Sequence, residues 1–230
     1  MRNVEWPPPI SRYTDVERAL IERMATPEEV QRWLTSLPYN HEPDGETVRA
    51  FRGVVEQGTA HCLEAALSAA AILEQHGHAP RLLDLESADG LDHVLYLFER
   101  DARWGTVGRS REPGLHGRRP VFENLEALVD SYVDPYIDDE ALIVGWATLD
   151  LRNLARGDWR WSRRNVWHVE RALTDKRHRR VRISRARRER VLSAYRSYRR
   201  RNPDRQPVTI YGGRETWMGW RVPPGLQAKG

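Results

Sequence analysis

Cys62 is the only thiol in a chain of 230 residues that also carries eight histidines. It stands in "GTAHCLEAALSAAAILEQHG", residues 58–77, with two small residues and a histidine before it and an alanine-rich run after it. A thiol attacks carbonyls only as thiolate, and an ordinary pKa of about 8.5 leaves little thiolate at neutral pH. Two devices lower that value: the unpaired N–H groups of a helix N-terminus, and an imidazole held against the sulfur. Cys62 meets the first condition if a helix begins near Thr59 or Ala60. His93 is the strongest candidate for the second. It opens an apolar strand, "HVLYLFE", where a polar side chain is costly without a partner. His61 adjoins Cys62, so on a helix its ring points elsewhere. His76 and His78 lie at the far end of the same helix, His116 in a glycine-rich loop, and His41, His168 and His178 in polar surroundings.

The elements that must position these residues can be read from period and punctuation. "SRYTDVERALIERM" reads as a helix capped near Thr14, and "TPEEVQRWLTSL" as one with Thr26 as N-cap and Pro27 in its first turn. "TVRAFRGVVEQ" fits a short helix or an extended approach to the cysteine. After Cys62, Leu63, Ala66, Leu67, Ala70 and Leu73 recur at helical period, and Gly77 is a natural terminator. "APRLLDLES", "HVLYLFE" and "RWGTVGRS" then read as strands, the last two as a hairpin, with the middle one apolar on both faces and so covered on both. "PVFENLEALVDSYVDPY" holds an amphipathic helix and "ALIVGWATLDL" another buried strand. Ser162 would cap a helix carrying Val166, Val169 and Leu173; "RVRIS" reads as extended, and "SRARRERVLSAYRSYRRRNP" as a helix ended by Pro203. "YGGRETWMGWRVPPG" reads as an aromatic-rich tail with turns. This order gives an α+β fold: an N-terminal helical layer, a nucleophile helix packed on an antiparallel sheet, and a basic helical C-terminal extension. Residues 1–151 form the catalytic-type domain and residues 152–230 a Trp- and Arg-rich extension docked on it.

The order G-x-x-x-C, an apolar helix ending in "HG", a short strand, then "DHVLYLFERDARWGTVG" resembles the transglutaminase-like superfamily over roughly residues 55–110. The resemblance implies a papain-like core in which Cys62 is the nucleophile and His93 the base. "DARW", residues 101–104, matches the family's turn and tryptophan. Gly108 stands where the family places the aspartate that orients the histidine. If Asp101 and Ala102 form a two-residue turn, Ser110 lies across from His93 and becomes the alternative orienter, with Asp84 a substitute from another direction. The implied chemistry is acyl transfer through a thioester on a peptide or protein amide, as peptidase, amidase or amine transferase, with the Cys62 N–H and the Gln57 side chain as oxyanion donors.

Charge is unevenly spread. Residues 152–205 carry 20 Lys or Arg against 5 Asp or Glu, within a chain of net charge +4. Arginines of the 176–201 segment suit an anionic partner, or pairing with front-half acids such as Asp134, Asp138, Asp139 and Glu140. Two alternatives to an enzyme follow: an inactive transglutaminase-like binding module, and a basic nucleic-acid-associated protein whose cysteine is incidental. A single cysteine cannot form an intramolecular disulfide or a zinc site alone, and no cofactor loop is present, so no cofactor or metal is expected. No apolar run is long enough to span a membrane and no signal-peptide pattern opens the chain, so a cytoplasmic protein without membrane contact is expected.

Overall fold

The computed structural model of the chain describes residues 6–205, 207 and 210–214, so most of the aromatic tail read from the sequence lies outside the described residues. It is an α+β structure built on one antiparallel sheet. Helices α1 (Asp15–Arg23) and α2 (Pro27–Ser36) each begin with a reciprocal capping box, Thr14 with Glu17 and Thr26 with Glu29. Each box satisfies two backbone donors that the first turn would otherwise leave unpaired. The ambiguous stretch before the cysteine is helix α3 (Phe51–Gln57), closed by Gly58 at φ +67°. Helix α4 (Cys62–Glu74) follows.

The sheet contains β1 (Arg81–Ser87), β2 (His93–Arg100), β3 (Arg103–Val107), β4 (Arg118–Phe122), β5 (Ile143–Asp150) and the two-residue β6 (Arg179–Arg180). Their order is β4-β3-β2-β1-β5-β6, and every pairing is antiparallel. β4 has no counterpart in the sequence reading. It is a short edge strand containing Pro120, a residue that cannot donate to a ladder on both sides. Helix α5 (Leu125–Tyr136) lies on one face of the sheet against Leu83, Leu85, Leu95 and Leu97. α4 and the N-terminal helices cover the other face against Leu82, Val94, Tyr96 and Phe98. β2 is thus buried on both sides from His93 to Phe98, as an unbroken apolar run requires. α4 is buried all round from Leu63 to Glu74, not only along a stripe, because α3, α2 and β2 enclose it. Its alanines let those neighbours approach closely.

The C-terminal residues share this packing. Helix α6 (Trp167–Thr174) adds Val169 and Leu173 to the α4 core, and β6 extends the sheet beside β5. Ser162 does not cap α6; its hydroxyl accepts from Arg164 N–H, and Val166 is the N-cap. Helix α7 (Arg185–Arg201) rests Val191 against Val133 and Ile137 of the α5 region. Its Arg187 pairs with Asp130 and Asp134, and Arg196 with Asp139. Trp159 is fully buried, and Arg160 reaches under it to the buried carboxylate of Glu74, with Nη2 at 2.7 Å from Oε2. Breaking a buried pair strands one charge without solvent. Arg160→Ala should therefore cost about 3–5 kcal/mol in denaturant unfolding. A loss within a few tenths of a kcal/mol would show that the pair does not fasten this segment to α4.

No helix among the described residues is long and apolar enough to cross a membrane.

Candidate functional site

Cys62 is the first residue of α4, at the positive end of the helix, and it lines a cleft. The helix starts three residues after Thr59 and two after Ala60, and His61 is its N-cap in extended conformation, φ −89° and ψ −177°. That geometry reverses the expectation for His61. A helical neighbour's ring would point away, whereas from an extended N-cap the ring lies beside the sulfur.

The Cys62 sulfur lies 3.9 Å from the Asp92 carbonyl, and the His61 and His93 rings are near enough to lower its pKa. Each ring has one nitrogen fixed on a backbone carbonyl: His61 Nε2 to Thr47 O at 2.8 Å, and His93 Nε2 to Leu115 O at 2.7 Å. A carbonyl only accepts, so each Nε2 must carry hydrogen. Each Nδ1 is then the nitrogen left to take the thiol proton. Burial alone would raise the Cys62 pKa, but the His61 and His93 rings outweigh it and hold the thiol well below its ordinary value. Burial likewise opposes charge on His61. The adjacent Cys62 sulfur, its negative charge and the nearby Glu64 overcome it and lift His61 to about 9.

Glu64 holds this corner together. Its fully buried carboxylate accepts from Arg49 Nε at 2.7 Å, Arg49 N at 3.0 Å, Thr47 Oγ1 at 2.8 Å, Asn40 Nδ2 at 3.1 Å and His61 N at 3.1 Å. The 40–49 loop, the start of α4 and the carbonyl that holds His61 are thus joined through one side chain. Burial opposes the charge, but the hydrogen bond from Arg49 and the charge of His61 depress the Glu64 pKa to about 2.

The other residues singled out in the sequence are placed differently. Asp101 and Ala102 do form the two-residue turn, both at positive φ as a type I′ hairpin requires. The β2–β3 ladder, however, stops at Tyr96 opposite Val107, short of the His93 level. Ser110 is buried and borders the cleft, but its hydroxyl accepts from Glu112 N–H at 3.1 Å, and the His93 Nε2 is taken by Leu115. Ser110 is not the orienter. Nor is Asp84, which meets His178 Nε2 at 3.0 Å. Gln57 is exposed at the end of α3 and does not line the cleft, because Gly58 turns the chain before it reaches the cysteine. It cannot serve as an oxyanion donor there.

Tyr39 occupies the place that Gln57 does not. A parallel bridge sets Tyr39 beside Ala60, and Tyr39 and Cys62 both line the cleft. Burial first, and the negative sulfur second, raise the Tyr39 pKa, so the phenol keeps its proton. The sequence offered no signal for Tyr39, since only the fold brings "LPYN" to the cysteine. His61 reads from the letters as helical, whereas it is the N-cap before α4.

Gly108 explains the missing carboxylate. A Cβ built there would lie 2.4 Å from Leu95 Cδ2, and the Gly108 N–H and carbonyl are both held by the Gln31 side chain at 2.9 Å. We expect Gly108→Asp to destabilise the fold by about 1–3 kcal/mol through overpacking. It should bring no gain in Cys62 reactivity. A stable variant with a more reactive thiol would contradict the packing described.

The cleft has a volume of about 630 Å³. Cys62 and His93 lie in its wall, and α6 and α7 with the chain beyond them contribute Trp167, Tyr195, Arg199 and Tyr211. It can therefore admit a chain segment or a small molecule to the sulfur. No family model matches the sequence, and no curated protein matches it.

Proposed function

We propose that this protein is a thiol acyl-transfer enzyme of transglutaminase-like type with a papain-like arrangement of its site, acting on a peptide or protein amide. The observation that carries the reading is Cys62 at the mouth of a buried helix, its pKa lowered by the His61 and His93 rings, each anchored through Nε2 on a carbonyl. In this reading the thiolate attacks a carbonyl carbon, and the oxyanion that forms is met by the Cys62 N–H and the Tyr39 hydroxyl. His93 gives its Nδ1 proton to the leaving amine as the C–N bond breaks, leaving a thioester on Cys62. The neutral ring then takes a proton from water or an amine as that nucleophile attacks the thioester. Sulfur leaves as thiolate, and the imidazolium is restored.

A second reading is favoured by one observation: the group behind His93 is the neutral Leu115 carbonyl, not a carboxylate. Without that negative charge the imidazolium is less supported, as expected of a fold retained for binding. One experiment separates the two. Incubation with p-nitrophenyl acetate should release p-nitrophenolate in a burst and leave one acetyl group on Cys62 by mass spectrometry, with neither in Cys62→Ser. Absence of both from the folded wild-type protein would favour the binding module.

A further inference from the structure

We propose that Arg118 is the positioning residue for His93, standing in for the absent aspartate by clamping the loop that supplies the orienting carbonyl. The inference rests on the thiolate–imidazole reading above. Leu115 ends the short 3-10 turn Pro113–Leu115. The carbonyls on either side of it both point at one guanidinium: Gly114 O is 2.7 Å from Arg118 Nη2, and His116 O is 2.7 Å from Arg118 Nη1. With its two neighbours held on that side, the Leu115 carbonyl faces the other way, onto His93 Nε2 at 2.7 Å.

The clamp is itself fixed. The Arg118 side chain is fully buried, its Nε donates to Ser131 Oγ at 3.2 Å, and its guanidinium lies 3.8 Å from the centre of the Tyr132 ring. The Tyr132 hydroxyl adds a bond to His116 O at 3.1 Å. Arginine suits this task because its planar fork offers divergent donors at fixed angles, whereas a lysine ammonium is a single point on a flexible stem. No carboxylate is needed to orient a ring that a rigid carbonyl already holds.

The clamp differs from a simple charge effect in what lysine does. Lysine keeps the charge but not the fork, so if Arg118 acted by charge, Arg118→Lys would leave the thiolate pair unchanged. If it acts by holding carbonyls, both Arg118→Lys and Arg118→Met loosen His93 and weaken the pair. The test is the pH midpoint of Cys62 alkylation by iodoacetamide in the folded variants, with melting temperatures measured alongside. Both should raise the midpoint by about one pH unit, a loss of about tenfold in rate on the acid side. A midpoint unchanged in a folded Arg118→Lys, or lowered in Arg118→Met, overturns the clamp. Should neither variant fold, Tyr132→Phe decides. It keeps the ring under the guanidinium and removes one bond to His116 O, so it should shift the midpoint the same way by less, and no shift overturns the proposal. An ordinary midpoint in the wild-type protein contradicts the parent reading instead and takes the clamp with it.

Discussion

A variant with both His61 and His93 replaced by alanine should lose at least about 100-fold of its Cys62 alkylation rate near pH 6. In the wild-type protein the His61 and His93 rings hold the thiol well below its ordinary pKa. Without them an ordinary thiol of pKa about 8.5 is ionised to only about 0.3% at that pH. The single variants should fall between, since each leaves one ring near the sulfur. Their order is informative: His61 is raised to about 9 by the sulfur and Glu64, so His93→Ala should retain a substantial part of the thiolate. Rates in the double variant close to wild type would show that the helix terminus alone ionises Cys62.

The second large effect concerns stability. Glu64 has its folded pKa depressed to about 2 from an ordinary 4.5. A depressed carboxylate contributes stability that is fully present above the unfolded pKa and is lost as pH falls through the folded one. The shift corresponds to about 3 kcal/mol, present above about pH 5 and lost between there and about pH 2. Glu64→Gln should therefore be several kcal/mol less stable than wild type at pH 7, and the gap should close as the solution is acidified across that window. A gap independent of pH would mean that Glu64 acts through packing and not through its charge. The same variant should slow Cys62 alkylation, because Glu64 fixes both His61 N–H and the Thr47 loop.

Much of the scaffold is legible in the letters because its signals are local. Thr14 and Thr26 announce helices through side chains that bond three residues on, and "RDA" announces a turn through its position between two apolar runs. Cys62 and His93 could be singled out for the same reason: one precedes an amphipathic run, and the other is a polar residue in an apolar strand. What could not be read is set by contacts distant in sequence. The orienter of His93 is a backbone carbonyl twenty-two residues away, and no side-chain identity encodes it. Ser110 would face His93 if the hairpin continued, but the ladder ends first, a length that alternation alone does not fix. Tyr39 reaches Cys62 only through the bridge to Ala60. His61 reads as helical only because the expected start of α4 falls two or three residues early, and helix boundaries are the feature that local signals determine least well.

The most direct measurement is the ultraviolet thiolate absorbance of Cys62, taken as the difference between wild type and Cys62→Ser and titrated with pH. The thiolate band should persist with little loss down to about pH 6, where an ordinary thiol would show almost none. A band that emerges only above about pH 8 would contradict a preformed thiolate–imidazole pair and leave Cys62 an ordinary thiol at a helix end.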